Sequence, residues 1–202
     1  MSTTVSQTLR EVVGLPADLP RLGGATLVLI DYQNTYRSGV MALPDAERAL
    51  EAGGRLLERA RAAGTRVVHV VNDGGPGSPY DVRAESGAIS PQVAPRDGEP
   101  VVVKTFPDSF HRTELQQVLT DMDAGPDLVL AGFMTHMCVA STAQGAFNLG
   151  YRPTVVADAC ATRPLPGPGG TPLPAETLHE AALTQIGDLF GLVAPTAGAL
   201  PA

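Results

Sequence analysis

The sequence predicts an α/β domain, a mostly parallel sheet covered by helices on both faces. Three observations predict it. Short, continuous apolar runs alternate with segments whose apolar residues recur at helical spacing. Those runs are too uniformly apolar for strands with one wet face, and so read as strands buried on both. The 202 residues suffice for one substantial core, and no stretch resembles a linker between two folding units. Right-handed strand-helix-strand crossovers then stack helices on the sheet. The chain divides into an N-terminal arm, 1–23, and a single domain, 24–202.

The arm has mixed polarity with Pro16 and Pro20, as suits a segment lying over the domain or over a neighbouring subunit. Residues 25–30 form the first expected strand, and Asp31 follows it. A carboxylate there either caps the next turn or serves a ligand, because ligands of open α/β sheets meet the carboxyl ends of the strands. Over 44–63, Ala46, Ala49, Leu50, Leu57 and Ala60 keep helical spacing; Pro44 suits the first turn and Gly64 the exit. The second strand, 65–71, carries His69, read as a satisfied core histidine with no second histidine nearby to complete a metal site. Residues 72–79 are a Gly/Pro-rich loop. Residues 80–100 lack periodicity and read as a long excursion, a pocket rim or a subunit contact.

A third strand, 101–104, ends in Lys104, which either snorkels at the sheet edge or enters a site. Phe106 and Phe110 serve as pocket walls or as core plugs. Thr113 to Gln116 has the form of a capping box ahead of a helix. The next strand, 128–132, passes through Gly132 into a polar turn that leads to Cys138, and a helix is expected over 137–149, closed by Gly150. At such a strand-to-helix junction, unpaired N–H groups and the helix dipole ease ionisation of a thiol; the alternative for Cys138 is inert packing. A fifth strand, 151–158, ends in Asp158, read as a turn cap, with Cys160 just beyond it as packing. A Pro/Gly loop over 163–174, a helix over 174–187 and a last strand over 189–193 complete the chain.

Composition narrows the function. The chain has 14 basic and 21 acidic residues, a formal net charge of -7 and no dense Lys/Arg run, which argues against nucleic acid as a partner. No apolar run approaches the roughly 20 residues needed to cross a bilayer, so no membrane partner is expected. Two cysteines and no secretory pattern at the N-terminus fit a reducing cytoplasm with both thiols free.

Asp31, Lys104 and Cys138 each stand at or just past the end of a different strand. In a parallel sheet those ends share one edge, where residues distant in sequence can converge. Asp31 could then accept the thiol proton while Lys104 favours both the carboxylate and the attacking thiolate. Backbone N–H groups of the turn before Cys138 could meet the developing oxyanion.

In their contexts, Leu-Ile-Asp-Tyr-Gln-Asn at 29–34, Val-Val-Lys-Thr-Phe at 102–106 and Gly-Phe-Met-Thr-His-Met-Cys-Val at 132–139, these residues resemble the isochorismatase-like cysteine hydrolase family, in order, over about residues 24–195. The resemblance implies a three-layer α/β/α architecture around a six-stranded, mostly parallel, Rossmann-like sheet. It implies a triad of Asp31, Lys104 and Cys138, a cis peptide at Phe133–Met134, and an oxyanion hole from the N–H groups of Met134 and Cys138. It places Gln33, Tyr36, Phe106, Phe110, Phe133 and His136 at the substrate, with His136 either lining the pocket or capping the helix. The implied reaction is hydrolysis of a C–N amide, lactam or ureido bond of a small molecule through a Cys138 thioester. Asn72-Asp-Gly-Gly-Pro-Gly-Ser78 lacks the Asp-His-His cluster of the nicotinamidase branch, so no metal and no other cofactor is expected and nicotinamide is disfavoured. Two alternatives stay open: vinyl ether or ester hydrolysis by Asp31 without covalent catalysis, and a non-catalytic ligand-binding or redox member. A homo-oligomer, dimer or tetramer, is expected.

Overall fold

In the computed structural model, which describes residues 5–202, β1 (Thr26–Ile30) lies at the centre of the molecule with every residue buried. The first four residues of the expected arm lie outside the described range. Leu27 and Leu29 enter one apolar cluster and Val28 and Ile30 the other, as the period-two alternation of a strand requires when both faces are covered. Ahead of β1 the arm forms a short helix α1 (Leu9–Val12), whose Leu9 N–H bonds Asp188 Oδ1 at 2.9 Å.

After β1 come α2 (Ala46–Ala62), β2 (Arg66–Asn72), β3 (Val101–Lys104), α3 (Leu115–Asp121), β4 (Asp127–Phe133), α4 (Ala140–Asn148) and β5 (Arg152–Ala161). A two-stranded hairpin, β6 (Leu165–Pro166) with β7 (Pro172–Leu173), α5 (Ala175–Gln185) and β8 (Leu192–Ala194) follow. The six longer-range strands form one parallel sheet in the order β3-β2-β1-β4-β5-β8. From β1 the chain builds outward to β3, then returns to the other side of β1 with β4. The direction of winding thus reverses between β1 and β4, and a crevice opens at the carboxyl ends of that pair.

α2 covers one face through Ala49, Leu50, Leu56, Leu57 and Ala60, joined by Val93 and Leu200. α3 and α4 cover the other through Leu115, Leu119, Ala143 and Ala146, with Ile186 beside them. Truncating a buried leucine such as Leu56 to alanine costs about 2–5 kcal/mol in a core packed this way. The crossover from β2 to β3 contains no α-helix; only 3₁₀ turns at Glu85–Gly87 and Pro91–Val93 break the excursion.

Several element boundaries differ from the sequence reading. β5 runs on to Ala161, so Asp158 does not end the strand and Cys160 lies within it, fully buried. The cause is a bulge: Leu130 pairs with Val155, but Gly132 pairs with Cys160, so the intervening part of β5 loops away from β4. The last strand starts at Leu192, because Ile186–Phe190 continue α5 as a π-helical turn. The capping box is not formed; α3 begins at Leu115, whose N–H bonds Thr113 Oγ1 at 3.2 Å.

Candidate active site

Asp31 leaves β1 with φ 52°, a left-handed conformation that aspartate tolerates better than most side chains. β4 approaches β1 closely at Gly132, whose φ is 139° and where an added Cβ would stand 1.9 Å from the Ile30 carbonyl oxygen. Only glycine fits there, and the approach brings the chain after β4 beside Asp31. The Phe133–Met134 peptide bond that follows is cis. Thr135–Val139 then form a π-helical turn continuous with α4, so Cys138 stands within this turn and not in the first turn of a regular α-helix. Lys104 ends β3 and crosses over β2 to the same crevice.

The three side chains meet there. Lys104 Nζ lies 2.7 Å from Asp31 Oδ2 and 3.3 Å from Cys138 Sγ. Asp31 is fully buried, Lys104 is 1% exposed and Cys138 8%. Among the described residues Lys104 is the one close side-chain partner of the Asp31 oxygens, with Cys138 and the Asn72 backbone acting on the carboxyl in the same direction, each lowering its pKa.

Burial pushes the Asp31 carboxyl above its ordinary value against the pull of Lys104. For Lys104, burial opposes the charge, but Asp31 and the Cys138 sulfur outweigh it and raise the ammonium pKa. Burial first, then the charge of Asp31, push the Cys138 thiol up to about 12 despite Lys104. The expected easing of thiol ionisation is therefore not what the environment does. Burial and the neighbouring carboxyl thus favour the neutral thiol, with Lys104 in contact with both Asp31 and Cys138.

The remaining candidates fall into two groups. Tyr36 is buried and meets Phe133 edge-on at 5.3 Å and Tyr80 at 5.7 Å; burial first, then the nearby Asp31 and Cys138, raise its phenol pKa. Phe133 is fully buried and packs against Tyr32 and Tyr36 beneath the crevice. His136 bonds Thr162 through Nδ1 and stands at the same edge, its pKa lowered by burial and by Arg163.

The structure does not bring the other three to the site. Gln33 is consumed by backbone groups: Nε2 donates to the carbonyls of Asn72 (2.9 Å) and Gly87 (2.8 Å), and Oε1 accepts from Asn72 N–H (3.0 Å). It braces the loops around Asp31. Phe106 sits at the surface against His111 and below Arg112. Phe110 stacks on Tyr151, which precedes β5 at the opposite edge of the sheet.

Sequence reasoning missed Tyr80, Arg163 and His179. Tyr80 lies in the excursion and feels Cys138, Asp31 and Arg163. Arg163 carries a buried Nε without a hydrogen-bond partner and makes no ion pair among the described residues; its Nη1 lies 3.8 Å from Met41 Sδ. It stands just past a strand end, the signal that found Asp31 and Lys104, and was hidden by ending that strand at 158. His179, on α5, bonds Thr135 Oγ1 through Nδ1 at 2.8 Å.

No group of three or more His, Cys, Asp or Glu side chains placed to hold a metal ion occurs among the described residues. No helix among them is long and apolar enough to cross a membrane.

The chain matches the Isochorismatase domain over residues 25–198. It is 34% identical over 183 residues to the secreted isochorismatase effector Isc1 of Verticillium dahliae, covering 90% of this chain and 93% of that protein. It is 39% identical over 177 residues to a streptothricin hydrolase of Streptomyces noursei, covering 87% of this chain and 69% of that protein. An isochorismatase from Pseudomonas putida KT2440, solved by crystallography, is similar with a TM-score of 0.92 and 34% identity, over 97% of this chain and 100% of that one.

Proposed function

This chain belongs to the isochorismatase family of hydrolases, and from that premise we propose that it cleaves a C–N bond of a small amide, lactam or ureido compound through a thioester on Cys138. The observation that carries the reading is the buried contact of Lys104 with both Asp31 and Cys138. Attack on an amide carbonyl needs a nucleophile and a base, and this cluster supplies both.

In this mechanism Asp31 takes the thiol proton as Cys138 Sγ bonds the carbonyl carbon. The N–H groups of Met134 and Cys138 receive the negative charge on the oxygen, a contribution of about 10²–10³ in rate for one such donor. The tetrahedral adduct collapses with loss of the C–N bond, and the amine departs with the proton from Asp31. Water then gives a proton to Asp31 and attacks the thioester; the acid leaves and the proton returns to sulfur. Lys104 stays charged throughout and stabilises the thiolate as it forms. Tyr36 and His136 flank the substrate with Phe133 packed beneath, and Arg163, which has no acidic partner among the described residues, suits a substrate bearing a polar or anionic group.

A second reading, proton transfer from Asp31 to an ether or ester without a covalent step, draws on the raised Asp31 pKa. A screen over amides, lactams and ureido acids, read as ammonia or amine release, tests the choice. Turnover that disappears in Cys138→Ala supports the covalent route; a Cys138→Ala protein with full activity rules it out.

A further inference from the structure

The turn that carries Cys138 is closed on itself: the Met134 carbonyl accepts from the N–H groups of Met137 (3.0 Å) and Val139 (3.2 Å). Among the described residues, side chains tie it to the rest of the protein in three places. Cys138 meets Lys104, His136 meets Thr162 just past β5, and Thr135 meets His179 on α5. Thr135 is fully buried and directly follows Met134, so the tie to α5 is the one next to the N–H group assigned to the acyl oxygen. Burial, then Arg48 on α2, lower the His179 pKa, while Asp45 ahead of α2 and Glu180 on α5 act in the other direction. To a neutral imidazole with its proton on Nε2, the Thr135 hydroxyl donates a hydrogen bond at Nδ1.

We propose that His179 is a positioning residue that acts through Thr135, holding Met134 N–H and the Cys138 sulfur in register with the acyl carbon. The inference rests on the cysteine mechanism above. His179 does not touch the reacting atoms; a helix on the far side of the turn sets the turn's geometry through one hydroxyl. Displacement of reacting groups by about 1 Å can cost on the order of 10²-fold in rate, so a single hydrogen bond at this place reaches the chemistry.

The test uses p-nitrophenyl acetate as an acyl probe on the whole protein and on His179→Leu, Thr135→Val, His179→Asn and Thr135→Ser. Cys138 sulfur bonds the acetyl carbon, the bond to p-nitrophenolate breaks, and Asp31 takes the thiol proton. The rate is read from nitrophenolate release and from acetyl mass on the peptide containing Cys138. In His179→Leu and Thr135→Val the acylation rate falls about 10- to 100-fold with the half-saturating probe concentration little changed. The double variant is no slower than the slower single, because both remove the same tie. His179→Asn, which offers a polar atom where Nδ1 stood, and Thr135→Ser recover most of the rate. Wild-type rates in both His179→Leu and Thr135→Val overturn the proposal. If His179→Leu does not fold, Thr135→Val, nearly isosteric, decides alone. Nitrophenolate release that is unchanged in Cys138→Ala and leaves no acetyl group on Cys138 of the wild type overturns the cysteine mechanism itself, and this inference with it, so the two failures are distinct.

Discussion

Lys104 Nζ lies 2.7 Å from Asp31 Oδ2, and solvent reaches neither side chain. Two charges taken so far from water persist only as a pair, and removing one partner of a buried pair typically costs about 3–5 kcal/mol. Lys104→Met therefore leaves Asp31 buried without its cation. Chemical denaturation is expected to show a loss of that size, and turnover is expected to disappear, since a protonated Asp31 no longer accepts the thiol proton. A Lys104→Met protein of native stability would show that the pair does not hold the site.

The pH profile follows from the same pair. Asp31 must be ionised to act as a base, and its pKa is raised by burial, so kcat/KM falls as pH drops through a value above the ordinary 3.8. The Lys104 pKa is raised above 10.5, so no loss of its charge is expected below that pH. Initial rates from acid to alkaline pH check both limbs. A profile that rises only near the free thiol value of about 8.5 would instead mean that the thiolate forms without Asp31.

A second ionic centre, remote from the site, makes a separate prediction about stability. Burial alone would raise the Glu99 pKa, but Arg61, the Arg96 N–H and His69 bring it down to about 2 from 4.5. A depressed carboxylate contributes stability that is present above its unfolded value and lost as pH falls through the folded one. Glu99 is partly reached by solvent, which screens these contacts, so its contribution at neutral pH is about 1 kcal/mol. The stability gap between wild type and Glu99→Gln, measured by denaturant unfolding, is expected to shrink from pH 4.5 towards pH 2. A gap independent of pH over that interval would contradict the assignment.

Gly132→Ala places a methyl group 1.9 Å from the Ile30 carbonyl oxygen at φ 139°. The clash is with backbone on the central strand, which cannot move aside without losing its ladder. Destabilisation of more than about 4 kcal/mol is expected, seen as a collapse of the thermal transition. An unchanged transition would mean that β1 and β4 do not approach as described.

The central strand was legible because it is buried on both faces, so an unbroken apolar run ending at Ile30 announces it and the charged Asp31 after it; the edge strand β3 was legible from its valine run, although Val101 and Val103 face outward and only Val102 and Lys104 turn inward. The same logic failed at β5, where a bulge puts Asp158 inside the strand and hides that Arg163 follows a strand end. Gln33 and Phe110 were placed at the site by their neighbours in sequence, but side-chain direction depends on loops whose course no periodicity encodes. The thiol was expected to ionise easily from its place at a strand-helix junction. Its depth beside a carboxylate, a tertiary property, reverses that.

The central claim is that Cys138 becomes acylated during turnover, and mass spectrometry tests it most directly. The protein is quenched in acid while hydrolysing an active amide from the screen, and the peptide containing Cys138 is weighed. The account predicts the mass of the substrate's acyl group on Cys138, with neither adduct nor turnover in Cys138→Ala. Continued turnover in that variant, or an unmodified Cys138 in protein quenched while deacylation limits the rate, would contradict it.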